Sequence, residues 1–218
     1  MSGRTLHVTL SPRSLAAVAA CAAGATFSSL ALAGAAAGRV TISANHTVME
    51  DGVPLLLRGS VSSGRAGEPV TVEQDDCGPV SWHPLRTVQT GAGGGWVSYA
   101  DANTNIRLRA RWRSAVSRVI AVGARPELTL AGAPGSLRVL IRAYDWFDRK
   151  TVELQRLEGT RWRTVATARL AKRGAAGQYA QTSGAFMKKV GHGLYRAVLP
   201  SAAARPCYVA GFSGSLRL

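Results

Sequence analysis

IRLRARW, at residues 106–112, decides the fold, because its apolar residues Ile106, Leu108, Ala110 and Trp112 are separated by single arginines. Side chains of a β-strand point alternately to its two faces, so this stretch predicts a strand with one buried face and one wet face. LRVLIRA, at residues 137–143, alternates in the same way. No window of helical length has an apolar stripe with a helical period, and the sequence therefore predicts an all-β protein.

One pattern occurs twice, at a spacing of about 80 residues. In the order of the chain, residues 70–73 match 152–155, Trp82 with residues 86–90 matches Trp162 with residues 163–167, and the glycine-rich turn at 91–96 matches 174–179. Three matches in the same order indicate a duplication. They predict domains at residues 39–122 and 125–218, each with about seven short strands, joined by a linker at 123–124.

The carriers of this pattern are the strand at residues 69–73, the Trp82 segment, the glycine turn before Trp96 and Tyr179, and the strand at 106–112. They resemble the bacterial immunoglobulin-like domains found in tandem in secreted, arginine-rich proteins. The resemblance implies two tandem immunoglobulin-like β-sandwich domains that act as spacers, stalks or adhesion modules. The chain departs from antibody-type domains, because it lacks their arrangement of a tryptophan between two paired cysteines.

The N-terminus has the features of a secretory signal. Arg4 and Arg13 precede a run of apolar and small residues that ends at Ala33, which predicts a signal peptide at 1–33 and a short linker at 34–38. Cleavage before Gly38, lipidation of Cys21 and a retained transmembrane helix are the alternatives. The prediction is a secreted or cell-surface protein with no membrane span after processing.

The formal net charge is +15, from 27 basic and 12 acidic residues. The arginines are scattered along the chain, which favours general attraction to polyanions over specific nucleic-acid recognition. One row could concentrate this charge on a single strand face, and it consists of Arg107, Arg109, Arg111 and Arg113. This row is the candidate polyanion site, and the alternative is a solvated face cancelled by acids on neighbouring strands.

Catalytic constellations are missing from the sequence, which predicts that the chain is not an enzyme. His46, His83 and His192 are interpreted as loop residues, and the adjacent acids Asp75 and Asp76 as part of a turn. Residues 101–105 space oxygen ligands like the start of a calcium loop, but Ile106 then stands where the turn glycine is required. We therefore predict no metal and no cofactor.

Aromatic and acidic residues cluster after the second strand of the C-terminal repeat. Tyr144, Trp146 and Asp148 are candidate glycan-binding residues, because rings stack on sugar faces and carboxylates accept hydrogen bonds from sugar hydroxyls. The alternative is that Trp146 or Phe147 closes the end of the sandwich or the domain junction.

The two cysteines left after processing are Cys77 and Cys207. Cys77 follows the third strand of the first repeat, and Cys207 is assigned to the start of the sixth strand of the second. This assignment separates them by at least one strand length, whereas a disulfide needs Cα atoms within about 7 Å of each other. The sequence therefore predicts no bond between them.

Together these observations predict a secreted or cell-surface, non-catalytic immunoglobulin-like module that acts as a spacer or adhesion element. The alternative is a module that binds cell-envelope glycans or polyanions.

Overall fold

Short β-strands make up most of the chain in the computed structural model, which describes residues 38–50 and 53–218. The predicted signal peptide at 1–33, the alternative lipidation site Cys21 and linker residues 34–37 lie outside the described residues. Every element below belongs to one compact unit, Ala37–Leu218. The mostly-β content confirms the predicted all-β class.

Residues 38–124, the N-terminal half, form two sheets. Their strands are β1 (Ser43–Ala44), β2 (Val48–Met49), β3 (Leu55–Ser60), β4 (Pro69–Asp76), β5 (His83–Gln89), β6 (Gly95–Ala100), β7 (Ile106–Trp112), β8 (Ala115–Val116) and β9 (Ile120–Ala124). One sheet has the order β1-β3-β6, and the other has the order β2-β9-β7-β4-β5, with β8 paired to β7. A 3-10 turn, Ala92–Gly94, precedes β6.

Residues 125–218, the C-terminal half, form two further sheets. Their strands are β10 (Glu127–Ala131), β11 (Leu137–Ala143), β12 (Thr151–Glu158), β13 (Arg161–Arg169), β14 (Ala171–Ala176), β15 (Tyr179–Phe186), β16 (Leu194–Leu199), β17 (Gly211–Phe212) and β18 (Leu216–Arg217). One sheet has the order β10-β11-β15-β14, and the other has the order β13-β12-β16-β17, with β18 paired to β16. A short helix α1, Ser201–Ala204, follows β16.

The strand order in the C-terminal half is that of an immunoglobulin-like sandwich. In the usual lettering, β10, β11, β15 and β14 are strands A, B, E and D, and they face strands C′, C, F and G, which are β13, β12, β16 and β17. The N-terminal half has the same plan, with β3 and β6 as B and E, and with β5, β4, β7 and β9 as C′, C, F and G. This order supports the immunoglobulin-like part of the fold prediction.

Each half buries its own apolar cluster. The N-terminal cluster contains the apolar residues of the stretch at 106–112 together with Trp96, and the C-terminal cluster includes Phe186 and Tyr195. Along β7, Ile106, Leu108, Ala110 and Trp112 are all buried while the intervening arginines reach water. Burial of a leucine-sized side chain stabilises a fold by about 1.5–3 kcal/mol, so the alternation drives the two sheets together.

The repeated sequence segments fall on equivalent strands. Residues 70–73 lie in β4 and 152–155 in β12, which are both strand C, and each pairs with a C′ strand that carries a β-bulge. The extra residue of the bulge is Leu85 in β5 and Val165 in β13. The bulge therefore occurs at the equivalent position of the equivalent strand pair in both halves. It is a repeated structural feature that the short sequence matches did not include.

The pairing also corrects the alignment of the C′ strands. Val88 lies opposite Val70, and Ala168 lies opposite Val152, so Val88 corresponds to Ala168. The sequence comparison matched Val88 with Val165, three residues too early, because it aligned short Thr-Val motifs without knowing the hydrogen-bonded partner. Trp82 and Trp162 correspond without any gap once this register is used.

Three further sequence interpretations differ from the structure. Residues 123–124, the predicted linker, end strand β9, and only Arg125 and Pro126 separate β9 from β10. Asp75 and Asp76 are the last residues of β4 and not part of a turn, and His83 begins β5. The backbone pairing of β4 with β7 extends to Asp76, which lies opposite Ile106, so the strand continues through these polar residues.

The prediction of unpaired cysteines is wrong, because Cys77 and Cys207 form a disulfide with a Cα–Cα distance of 5.3 Å. The error lies in the strand assigned to Cys207. Strand F, which is β16, ends at Leu199, and Cys207 lies after it, between α1 and β17. Because a strand crosses the whole sandwich, Cys207 is at the opposite end from the one predicted, beside the N-terminal half.

Candidate functional site

The candidate arginine row lies on β7 and the turn that follows it. Arg107, Arg109 and Arg111 alternate with buried residues and share the outer face of β7. Arg113 lies one residue beyond the strand with a φ of 54°, and its guanidinium covers the ring of Trp112 at 4.6 Å. The structure therefore places three of the four predicted residues on one strand face and the fourth in a turn.

Each arginine of this row forms an ion pair with a carboxylate. Arg107 Nε donates to Asp75 Oδ2 at 2.6 Å, and Glu73 accepts from Arg109 Nε at 2.5 Å and from Arg111 Nε at 2.7 Å. Arg113 Nη2 donates to Glu68 Oε1. Four arginines thus face three acids and keep a net charge of +1 (4 − 3). This arrangement matches the solvated-face alternative, in which neighbouring acids cancel the row.

Arg109 is the centre of a unit that occurs in both halves. Its guanidinium lies 4.1 Å from the centre of the Trp82 ring while it binds Glu73. In the C-terminal half, Arg196 lies 4.3 Å from the Trp162 ring and donates to Gln155 Oε1. Each unit joins strands F and C to a tryptophan at or immediately before the start of C′, through a cation–π contact and a charge-assisted hydrogen bond.

Glu73 and Asp75 are held in their charged forms. The side-chain hydrogen bond from Arg111, with that from Arg109 and the charges of both arginines, lowers the pKa of Glu73 despite its burial. The backbone N–H of Ser81 donates to Asp75 at 2.6 Å, and this bond, with Arg107, lowers the pKa of Asp75. Both carboxylates therefore titrate at lower pH in the folded chain than in the unfolded chain.

We expect this difference to make the fold sensitive to acid. A carboxylate with a depressed folded pKa stabilises the fold above its unfolded pKa and loses that contribution as pH falls through the folded value. The free energy of unfolding, measured by urea denaturation, should therefore decline below about pH 4.5. A Glu73→Gln/Asp75→Asn variant should be less stable at pH 7 and show a shallower decline. An equal slope for both proteins would contradict the assignment.

The candidate glycan residues do not form one site. Tyr144 lies toward the junction of the two halves, where its ring packs edge-on against Tyr179 at 4.9 Å. Trp146 lies under the Lys172 ammonium at 5.1 Å, and Asp148 accepts from the Lys172 backbone N–H. Tyr144 therefore belongs to the junction, whereas Trp146 and Asp148 lie beside β14.

Phe147 is the residue of this loop that completes the core. It is buried, its ring packs edge-on against Tyr208, and its backbone N–H donates to the buried hydroxyl of Thr182. This fits the alternative in which an aromatic residue of the loop closes the end of the sandwich. Trp146 is 37% exposed and takes no part in that cluster.

Asn105 organises the junction between the halves. Its backbone N–H donates to the carbonyl of Cys207 at 2.8 Å, and its side-chain amide donates to the carbonyl of Pro206 at 2.8 Å. Its side-chain oxygen accepts from the N–H of Ala124 at 2.9 Å. The segment at 101–105, which resembles an incomplete calcium loop, thus supplies a clamp for the C-terminal half.

The connection itself is short and tightly packed. Val209 N–H donates to the carbonyl of Ala124 at 2.9 Å, and a Cβ on Gly123 would lie 2.5 Å from the side chain of Val209. Arg125 binds Glu50 at 2.7 Å and lies 4.5 Å from the centre of the Phe212 ring. A side chain at position 123 would therefore force the side chain of Val209 to shift.

A cleft of about 430 Å³ opens beside this junction. Residues of both halves line it, including Asp101, Asn103, Tyr144, Gln178 and Tyr179. The sequence singled out Tyr144 as a glycan candidate and residues 101–105 as an incomplete calcium loop. It could not show that they line one cleft with Gln178 and Tyr179, because these segments are separated along the chain and meet only when the halves are joined. The one available signal was the pair of cysteines, which marks residues brought together by folding.

Comparisons with known proteins identify no family for this chain. No protein-family model matches the sequence, and no curated protein is similar to it. Among solved structures, the crystal structure of bovine butyrophilin is similar, with a TM-score of 0.38 and 10% sequence identity, over 84% of this chain and 99% of that chain. A likeness this distant carries no argument about function.

In residues 38–50 and 53–218, no group of three or more His, Cys, Asp or Glu side chains could hold a metal ion. Across the same residues, no helix has the length and apolar character to cross a membrane. His83 lies 3.7 Å from Asp76 at the exposed start of β5.

Proposed function

We propose that the chain is a secreted or cell-surface, non-catalytic protein of two tandem immunoglobulin-like domains, which acts as a rigid spacer or adhesion element. The observation that carries the proposal is the junction. Two residues connect the halves, the Cys77–Cys207 disulfide joins them, and Asn105 binds three backbone groups across or beside the boundary. A flexible tether would need none of these contacts.

Export is supported by the same disulfide, together with the apolar N-terminus. Disulfides persist in oxidising compartments outside the cytosol. Expression of the full chain in a bacterium should therefore yield extracellular protein that begins at Gly34, as measured by intact mass. A protein retained in the cytosol with its first 33 residues would contradict the export part of the proposal.

Rigid coupling of the halves is tested by nuclear magnetic relaxation of backbone amides. A rigid junction predicts that residues of β4 and of β12 report one common rotational correlation time. A matched control carries a flexible Gly-Ser insertion between Arg125 and Pro126 and should give two shorter times. If the unmodified protein already gives two independent times, the halves are loosely tethered and the rigid-spacer proposal fails.

A further inference from the structure

The outer face of the sheet β10-β11-β15-β14 contains a groove of about 640 Å³. Its lining includes three arginines from three different strands, Arg138 of β11, Arg169 of β13 and Arg173 of β14. The groove lies in the C-terminal half and is separate from the arginine row of β7. No carboxylate is part of its lining.

Strand register shows why this face is concave. One transverse row consists of Ala131, Arg138 and Ala185, which lie opposite one another on β10, β11 and β15. The next row consists of Thr129, Leu140, Ser183 and Ala171. Most of these outward side chains are small, so the floor is low and larger groups rise above it.

The groove arginines differ from the β7 row in their partners. Arg138, Arg169 and Arg173 are exposed, and none of them forms an ion pair within the described part of the chain. The row at Glu127 and Arg142, next along the sheet, is closed by their own ion pair at 2.8 Å. The groove thus carries positive charge that no acid of the described residues compensates. At the row of Glu127 and Arg142 this excess ends, because the two side chains neutralise each other.

We propose that this groove binds an acidic polysaccharide, with Arg138, Arg169 and Arg173 on its carboxylate, sulfate or phosphate groups. Guanidinium groups form charge-assisted hydrogen bonds to all three kinds of oxyanion. Strand β14 is two strand spacings from β11. Arg173 lies opposite residues 181–182 of β15, whereas Arg138 lies opposite Ala185, so the two arginines arise roughly 15 Å apart and can contact separate charged groups of one polymer.

The floor of the groove favours a sugar polymer over a single-stranded nucleic acid. Proteins that bind single strands stack the bases on aromatic side chains, and no aromatic residue lines this groove. Thr129 and Ser183 instead offer hydroxyl groups of the kind that hydrogen-bond sugar hydroxyls. The inference concerns binding and does not depend on the spacer role proposed above.

The test is affinity for two probes, heparin as a sulfated polysaccharide and polygalacturonate as a carboxylated one. Replacing Arg138, Arg169 and Arg173 by serine should weaken binding of at least one probe by roughly tenfold or more at physiological salt. The probe with the larger loss identifies the charged group. A second variant, Ala185→Glu, places one acid on the floor and should weaken the same interaction.

A matched control removes the same charge elsewhere. Arg58, Arg86 and Arg118 are exposed and make no ion pair in the described residues, so their replacement by serine should weaken binding less than about threefold. Circular dichroism should show all variants folded. Equal losses in both triple variants would mean diffuse attraction and overturn the proposal.

Two other results would overturn it as well. One is that the unmodified protein retains neither polysaccharide at physiological salt. The other is tighter binding of a single-stranded oligonucleotide through the same three arginines, which would assign the groove to nucleic acid.

Discussion

Replacing both Cys77 and Cys207 by serine is expected to lower the free energy of unfolding by up to about 5 kcal/mol, as a chain-entropy argument gives for a loop of this length. The disulfide joins residues 130 positions apart, so it restricts the unfolded chain strongly. Denaturant unfolding of the double variant and of the unmodified protein, each with and without reductant, measures the effect. Reductant should destabilise only the unmodified protein.

The same double variant also tests the junction. Cys207 follows Pro206, whose carbonyl accepts from Asn105, so loss of the disulfide should loosen contacts beside it before either core unfolds. Amide hydrogen exchange of Asn105 and Val209 should accelerate in the double variant, while exchange in β12 changes little. An unmodified protein that takes up alkylating label on both cysteines before reduction would contradict the bond.

Replacing Glu73 by alanine is expected to have the second-largest effect, a loss of about 2–3 kcal/mol. Glu73 is mostly buried and accepts hydrogen bonds from both Arg109 and Arg111, so its removal leaves two cations without their acceptor. Arg111 is 41% exposed and can turn to water, which limits the cost. Chemical denaturation at pH 7 provides the measurement.

The duplicated unit offers a matched control for this prediction. Gln155 occupies the position of Glu73 in the C-terminal half and binds the single arginine Arg196 through a neutral amide oxygen. Gln155→Ala should therefore cost only about 1 kcal/mol. Equal losses for the two variants would show that the charge of Glu73 adds nothing to the unit.

The candidate site was only partly accessible from the sequence. Alternation placed Arg107, Arg109 and Arg111 on one strand face, but it could not show that Glu73 and Asp75 lie on the adjacent strand. It also drew attention away from Arg138, which shares β11 with equally regular alternation. Whether a row of arginines carries free charge depends on the acids that pair with them. Those acids come from other strands, which the alternation of a single strand does not reveal.

By itself, the sequence determined the all-β class and the repeated pattern, because alternation and strand length are local properties of the chain. Tertiary structure decided the rest: the pairing of Cys77 with Cys207, the clamp of Asn105 and the meeting of three arginines in the groove. Misplacing Cys207 by one strand moved it to the wrong end of a sandwich. Since each strand reverses direction, the location of a loop residue depends on every strand counted before it.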